Sequence, residues 1–449
     1  MKPHLLLWLR QGVTHSEVGS WLQAIADPSV AGPPFQPDVD RTLAGHTGGV
    51  LVVHEHEPAR TDGWSLDEQA VGLDRKFRVV SLVDRLFSTE LVAALRELTV
   101  VERVEPGQVV GTAVPVAESF SRHPSDWAWE VIGLPEAHRV TRGSPEVTVA
   151  VLDTGVDTQH REYADRLEGG FDFVDIIDGA DDFFGDRLGA DSNAMDPGVG
   201  HGSHVTGIIA ARGRKMSTGA APGCRILPVR VLGALRQGDR LIGAGLVDNI
   251  STGLKWAVDH GADVINMSLG IRHEGGGLPH GDVVRYAAQK GVMIVAAAGN
   301  DGAPTLYYPG ALPGVVAVGA VDRDGSVASY STWGDQVALV APGTDVWSTW
   351  LEDGYAFATG TSQATPFVAG AAALCQSIAH ERGRRLSPDQ VTAVLTRTAD
   401  RDARRFKSPR AGYGRLNVPD ALRYTIYRLD AAPRRRTAEL PNRRQPVPA

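Results

Sequence analysis

Apolar residues recur along this chain as short consecutive runs, rich in valine, isoleucine and alanine, at 147–152, 225–231, 263–267, 292–297 and 315–318. Apolar positions without alternation predict strands buried on both faces, as in a parallel sheet. Helical spacing appears between several of them. Strand and helix therefore alternate, which predicts an α/β fold: a mainly parallel sheet with helices on both faces. A longer run at 368–379 is almost wholly small and apolar and predicts a buried helix, with Thr361-Ser362 at its N-terminus. Pro366 suits a first helical turn, where not every amide is needed as a donor.

The first hundred or so residues have a different grain. Leu5-Leu6-Leu7-Trp8-Leu9 predicts a strand, and Thr14 with Glu17 forms a capping box that opens a helix through Trp21, Leu22 and Ile25. A Pro/Gly-rich loop leads to a strand at 49–54, and a polar loop to another at 77–83. Ser88 caps a helix carrying Leu91, Val92 and Leu95 on one face, and 100–104 is a last strand. The order β-α-β-β-α-β is the split-βαβ, ferredoxin-like pattern of a small α+β domain over residues 1–113. Residues 114–125 are polar and turn-rich and read as a linker, and the larger α/β domain follows it. The stretch 425–449, with Arg434-Arg435-Arg436, Arg443-Arg444 and several prolines, reads as a disordered basic tail.

Composition narrows the function classes. A net charge of −8 over 449 residues argues against general nucleic-acid binding. No stretch approaches the roughly 20 apolar residues that span a bilayer. The leucine run near the N-terminus is too short for a signal-peptide core and has no small-residue cleavage site, so a cytoplasmic location is expected unless translation starts upstream. Two cysteines, Cys224 and Cys375, make no disulfide framework and read as reduced thiols.

The chemistry lies in three stretches: Asp153-Thr154-Gly155 at a strand end, Gly200-His201-Gly202-Ser203-His204 opening a helix, and Gly360-Thr361-Ser362. A serine at a helix start alone reads as a cap. An acid, a histidine and a serine in that order are the three types that serine hydrolysis needs: an orienting carboxylate, a base and a nucleophile. With Ala296-Ala297-Ala298-Gly299-Asn300, these motifs resemble those of the subtilisin-like serine proteases, over roughly residues 126–424.

The resemblance implies an endopeptidase in which Ser362 attacks, His201 carries the proton, Asp153 orients the imidazole, and Asn300 with the Ser362 amide holds the oxyanion, without a cofactor. Ser268-Leu269-Gly270 is similar to the family's substrate-binding edge, where an extended peptide adds as a strand. Tyr307 stands in the wall of the pocket for the residue before the cut, where many relatives have glycine. Turned inward it fills the pocket and favours small residues; packed outward it leaves the pocket open. The N-terminal domain resembles the family's inhibitory propeptide, with 101–106 as its closing strand. That likeness implies an intramolecular inhibitor that keeps the enzyme latent, self-processing after Ala113, and Val110 in the fourth pocket upstream of the cut. The remaining partners expected are peptide or protein substrates.

Some residues depart from the family or admit another reading. Gln363 and Phe367 stand where methionine and histidine are common, and Arg212-Gly213-Arg214-Lys215 puts cations where a family calcium loop has oxygen ligands. The acidic insertion with Asp172, Asp175, Asp178, Asp181, Asp182, Asp186, Asp191 and Asp196 reads as a solvated surface loop or, alternatively, a calcium loop. His201 and His204 have a zinc-like i,i+3 spacing, but no third ligand stands out, and His204 reads as structural. The rival to an enzyme is a silent protease fold that acts as a binding protein and retains its N-terminal domain. A narrower enzyme reading is a dedicated processor of one partner protein.

Overall fold

The computed structural model describes residues 3–27, 34–46, 48–83, 86–112, 126–175, 183–185, 189–238, 240–272, 278–401 and 406–431. Near the N-terminus, β1 (His4–Leu9), β2 (Val50–His54), β3 (Lys76–Ser81) and β4 (Val101–Pro106) form an antiparallel sheet in the order β2-β3-β1-β4. Helices α1 (Trp21–Ala26), α2 (Pro37–Leu43), α3 (Leu66–Val71) and α4 (Thr89–Glu97) lie between them. Side chains alternate across a strand. Leu5, Leu7, Leu9, Phe77 and Val79 enter one core with Leu95 of α4. Lys76 and Arg78, at the intervening positions of β3, are also buried, on the opposite face.

Two details differ from the sequence expectation. The capping box that starts α1 is Ser20 with Gln23, not Thr14 with Glu17. Tertiary contacts hold the preceding segment out of a helix: the His15 ring packs on Phe35 and Phe77, and Ser16 N–H donates to the Phe35 carbonyl. The loops expected around β2 also contain helices. Gln36 and Pro37 start α2, and a Ser65–Glu68 capping box starts α3.

The main sheet has seven strands: β6 (Thr148–Asp153), β7 (Phe171–Asp172), β9 (Arg225–Arg230), β12 (Val264–Met267), β14 (Met293–Ala297), β16 (Val315–Val321) and β17 (Val337–Pro342). Their order is β17-β16-β14-β12-β6-β9-β7, and every ladder is parallel. Val149 and Val151 of β6 enter one core with α7 (His201–Ala210), α10 (Thr361–Glu381) and α12 (Val418–Ala431). Ala150 and Leu152 enter the other with α8 (Val247–Asp259) and α9 (Gly281–Gln289). Helices thus cover both faces. Short α5 (Trp127–Glu130) and α6 (Leu134–Ala137) precede β6, and α11 (Pro388–Thr398) lies between α10 and α12. The last helix runs to Ala431, past the domain edge expected near Tyr424, because Leu422 and Leu429 still bury against the core.

A second small sheet stands beside the first. The hairpin β10 (Gly233–Gln237) and β11 (Arg240–Leu246) is flanked by β8 (Phe183–Phe184) and, on its other edge, by β5 (Val109–Thr112). A further hairpin, β18 (Val346–Thr349) and β19 (Tyr355–Ala358), packs on α7. Among the described residues no helix is long and apolar enough to cross a membrane.

Candidate active site

Asp153 ends β6, at the carboxyl edge of the parallel sheet, and His201 is the first residue of α7. Both are fully buried, and His201 Nδ1 lies 2.7 Å from Asp153 Oδ1. That carboxylate oxygen also accepts Thr154 N–H at 2.8 Å. Burial alone would lower the His201 pKa, but the Asp153 charge and hydrogen bond, with Asp196 nearby, raise it overall. The bond identifies Nδ1 as the protonated nitrogen and leaves Nε2, which has no hydrogen-bond partner, as the basic one.

Ser362 is the second residue of α10 and 3 % exposed. Its hydroxyl donates to the Ser268 carbonyl at 3.0 Å, and the Ser268 hydroxyl donates back to the Ser362 carbonyl at 2.8 Å. The serine is therefore seated against the Ser268-Leu269-Gly270 segment, and its hydroxyl is not bonded to His201. A hydroxyl is a free rotor, and such bonds often tighten only when substrate is bound.

Asn300 follows β14. Its Oδ1 accepts Thr361 N–H at 2.8 Å and the Thr361 hydroxyl at 2.9 Å. A backbone N–H needs an acceptor, so the amide is oriented with its oxygen toward Thr361, which leaves Nδ2–H₂ available beside the start of α10.

Ile271 and Arg272 form a short strand, β13, antiparallel to β15 (Tyr307–Tyr308). A Cβ placed on Gly299 would lie 2.4 Å from the Tyr307 ring, and one on Gly270 would lie 3.4 Å from Tyr307 Cβ. Tyr307 therefore lies between the Ser268–Gly270 edge and the segment that carries Asn300, with its ring against the backbone. Burial raises its phenol, and the Asp301 carboxylate adds to the shift.

One strand near the site was not anticipated. It is β11, whose residues Gly243, Ala244, Gly245 and Leu246 pair antiparallel with Thr112, Gly111, Val110 and Val109, and β5 in turn lies against β13, the strand that follows 268–270. Gly238-Asp239, a two-residue hairpin signal between apolar stretches, was the readable clue to it. Ala113 and the 114–125 linker lie outside the described residues, as do Asp178, Asp181, Asp182, Asp186, Arg434-Arg435-Arg436 and Arg443-Arg444.

His204 has a separate job. Its Nε2 meets the carbonyls of Val346 and Ala356 at 3.1 and 3.2 Å, tying α7 to the β18–β19 hairpin, and burial pushes its pKa down to about 3. Where the sequence suggested lost calcium ligands, Glu162 accepts the N–H groups of Gly213, Arg214 and Lys215 at 2.9–3.0 Å, and the Tyr355 hydroxyl at 2.9 Å. Its carboxylate is met by amides. Asp172 of the acidic insertion is paired with buried Arg230, and among the described residues no cluster of three or more His, Cys, Asp or Glu could hold a metal. Cys224 and Cys375 are buried free thiols.

The charged face of the N-terminal sheet docks on α8 and α9. Arg78 bonds Glu55 at 2.9 Å and reaches Asp248 of α8 at 2.9 Å, and His4 Nε2 is also 2.9 Å from Asp248. Lys255 of α8 bridges Glu68 and Asp259, each at 2.7 Å, while Lys76 faces Asp282 of α9 at 3.4 Å. His56 and His280 are buried in the same interface, and burial lowers both, His280 to about 4.

Residues 144–414 match the model of the subtilase family. The chain is similar to a thermophilic serine proteinase of Bacillus sp. (strain AK1), 36 % identical over 74 % of this chain and 76 % of the relative. It is also similar to thermitase of Thermoactinomyces vulgaris, 35 % identical over 65 % of this chain and 94 % of that protein. Among solved structures, the prenylagaramide maturation protease PagA superposes with a TM-score of 0.53 at 30 % identity, over 65 % of this chain and 98 % of that one.

Proposed function

The chain belongs to the subtilase family and is a subtilisin-like serine endopeptidase, and we propose that it cuts through Asp153, His201 and Ser362, with Asn300 in the oxyanion hole. The observation that carries this reading is the buried 2.7 Å contact between Asp153 and His201 Nδ1. It leaves Nε2 to take the Ser362 proton as Oγ attacks the scissile carbonyl, and to return that proton to the leaving amine. The imidazolium formed in between is stabilised by the buried carboxylate. Charge develops on the carbonyl oxygen, where the Asn300 amide and the Ser362 N–H would receive it; one such donor is worth about 3–4 kcal/mol in the transition state. A mechanism-based serine phosphonate should label the trimmed enzyme on Ser362 and leave Ser362→Ala unlabelled. Labelling of that variant at equal rate would sink the assignment.

The N-terminal domain acts in this proposal as an intramolecular inhibitor. Supporting it, β5, which follows the docked sheet, is added as a strand beside β11, the way an extended substrate would add to a sheet edge. In this reading Val110, whose backbone pairs with Gly245, would enter the fourth upstream pocket, and the cut would follow Ala113, one residue past the last paired position. Intact masses check this: the full chain should be trimmed near Ala113, while the Ser362→Ala chain stays whole.

The ring of Tyr307 against Gly299 supports a filled pocket and a preference for a small residue before the cut. Tyr307→Gly should move cleavage of a peptide series toward large apolar residues by about 10- to 200-fold in relative kcat/KM. A parent enzyme already cutting best after large residues would rule the filled pocket out.

A further inference from the structure

The acid and the base of the proposed triad come from distant elements, the end of β6 and the start of α7, with the acidic insertion between them. Asp196, the residue where that insertion returns to the site, is 5 % exposed and holds the two elements together. Its Oδ2 accepts the Thr154 hydroxyl at 2.5 Å and Gly200 N–H at 2.8 Å. Oδ1 accepts Gly198 N–H at 2.9 Å and Val199 N–H at 2.7 Å. The Thr154 oxygen in turn accepts Gly202 N–H at 3.0 Å. One carboxylate thus binds the residue after Asp153 and the residue before His201, and reaches the residue after His201 through a single hydroxyl.

The backbone geometry shows how close this join is. A Cβ on Gly202 would sit 2.0 Å from the Gly155 carbonyl, and one on Gly155 would sit 2.9 Å from Asp196 N. Asp196 N–H donates to the Val156 carbonyl at 3.1 Å, and Val156 N–H to Ala194 at 3.0 Å, so the acid turn and residues 194–196 form a continuous seam.

We propose that Asp196 is a positioning residue for the reaction, clamping the acid turn to the first turn of the histidine helix so that Asp153 and His201 stay in register. It touches neither substrate nor the reacting atoms. All four contacts are donors toward it, which suits a carboxylate and no other side chain of that length. An alanine would leave several buried donors unmatched. An asparagine would point its own N–H groups at N–H donors that the carboxylate accepts.

The proposal rests on the triad reading, and its test separates the two. Among the described residues, the charged and titratable groups around His201 are Asp153 from β6, Asp196 itself, and His204 one turn along α7, which is neutral. Removing the Asp196 charge therefore acts on the imidazole by a direct electrostatic route as well as through geometry. In the processed enzyme, Asp196→Asn should lower kcat by about tenfold or more with KM within about twofold, because the loss is confined to the reacting groups. In the Ser362→Ala chain, whose readout needs no activity, NMR titration of the His201 ring should fall by about half to one pH unit in Asp196→Asn. Thr154→Val keeps the charge and breaks the clamp, so it should lose kcat with a smaller change in that titration, and Thr154→Ser should restore kcat. If Asp196→Asn fails to fold, Thr154→Val and Thr154→Ser carry the test. Wild-type kcat in a folded Asp196→Asn with an unmoved His201 titration would overturn the proposal. An inactive parent enzyme would sink the triad reading, while the titration still reports on the clamp.

Discussion

Among the described residues, two aspartate–histidine pairs have both side chains buried. Asp153 and His201 meet at 2.7 Å on the sheet edge and the start of α7; His4 and Asp248 meet at 2.9 Å where the N-terminal sheet docks on α8. In the first, the histidine has one committed nitrogen and one without a partner, and its carboxylate is held by Thr154 N–H. In the second, the aspartate is shared with Arg78, and the charge of Arg78, acting with His4, keeps its carboxyl well below the usual range. The first pair leaves a basic nitrogen for chemistry. The second, with Arg78, joins two parts of the chain.

That contrast can be tested by breaking each pair alone. His201→Ala should lower kcat on the order of 10⁴- to 10⁶-fold and leave docking of the N-terminal sheet intact, measured by hydrogen exchange in β3. Loss of protection in β3 would mean that the two pairs are not independent. Arg78→Ala should do the reverse. It strands Glu55 and Asp248 as buried charges, at a cost of about 3–5 kcal/mol, seen as early loss of β3 protection, while Ser362 still reacts with the phosphonate.

Acidification is the finer probe. His56 faces Lys76, Asp282, Lys255 and Arg78; His280 faces Lys76, Asp282 and Asp248 and meets the Ser251 hydroxyl at 2.9 Å. Both have pKa values lowered chiefly by burial, so an exposed form binds more protons below pH 6.5. The docked chain should be fully stable above about that pH and weaken as pH falls toward about 4, by roughly 2 kcal/mol between pH 7 and 5 from His280 alone. Denaturant melts of the Ser362→Ala chain read this. A melt independent of pH between 7 and 5, or one unchanged by His280→Asn, would break the interpretation.

Much of the fold was legible in local pattern. The apolar runs at β6, β9, β12, β14 and β16 could be read because a strand buried on both faces has no polar alternation to confuse with a helix. The run at 368–379 announced α10 for the same reason. Thr14 and Glu17 misled: the letters of a capping box were present, but His15 and Ser16 were engaged by Phe35 and Phe77 from other elements. The hairpin β10–β11 was missed because Gly243-Ala244-Gly245 has little side chain with which to declare a strand.

Lys76-Phe77-Arg78-Val79 sharpens the division. Its alternation correctly marks a strand with one apolar face, and reads as if the charged face met water. Instead Lys76 and Arg78 are buried against acids of α8 and α9 about 170–200 positions away. Short-range order follows from residue type and spacing, so the strands, the serine helix and the Asp-His-Ser order were there to be read. Which buried charge finds which partner, how the Tyr307 ring lies over Gly299, and how Asp196 joins two elements depend on contacts between distant segments. Those contacts exist only once the chain has closed on itself, and local pattern carries no signal of them.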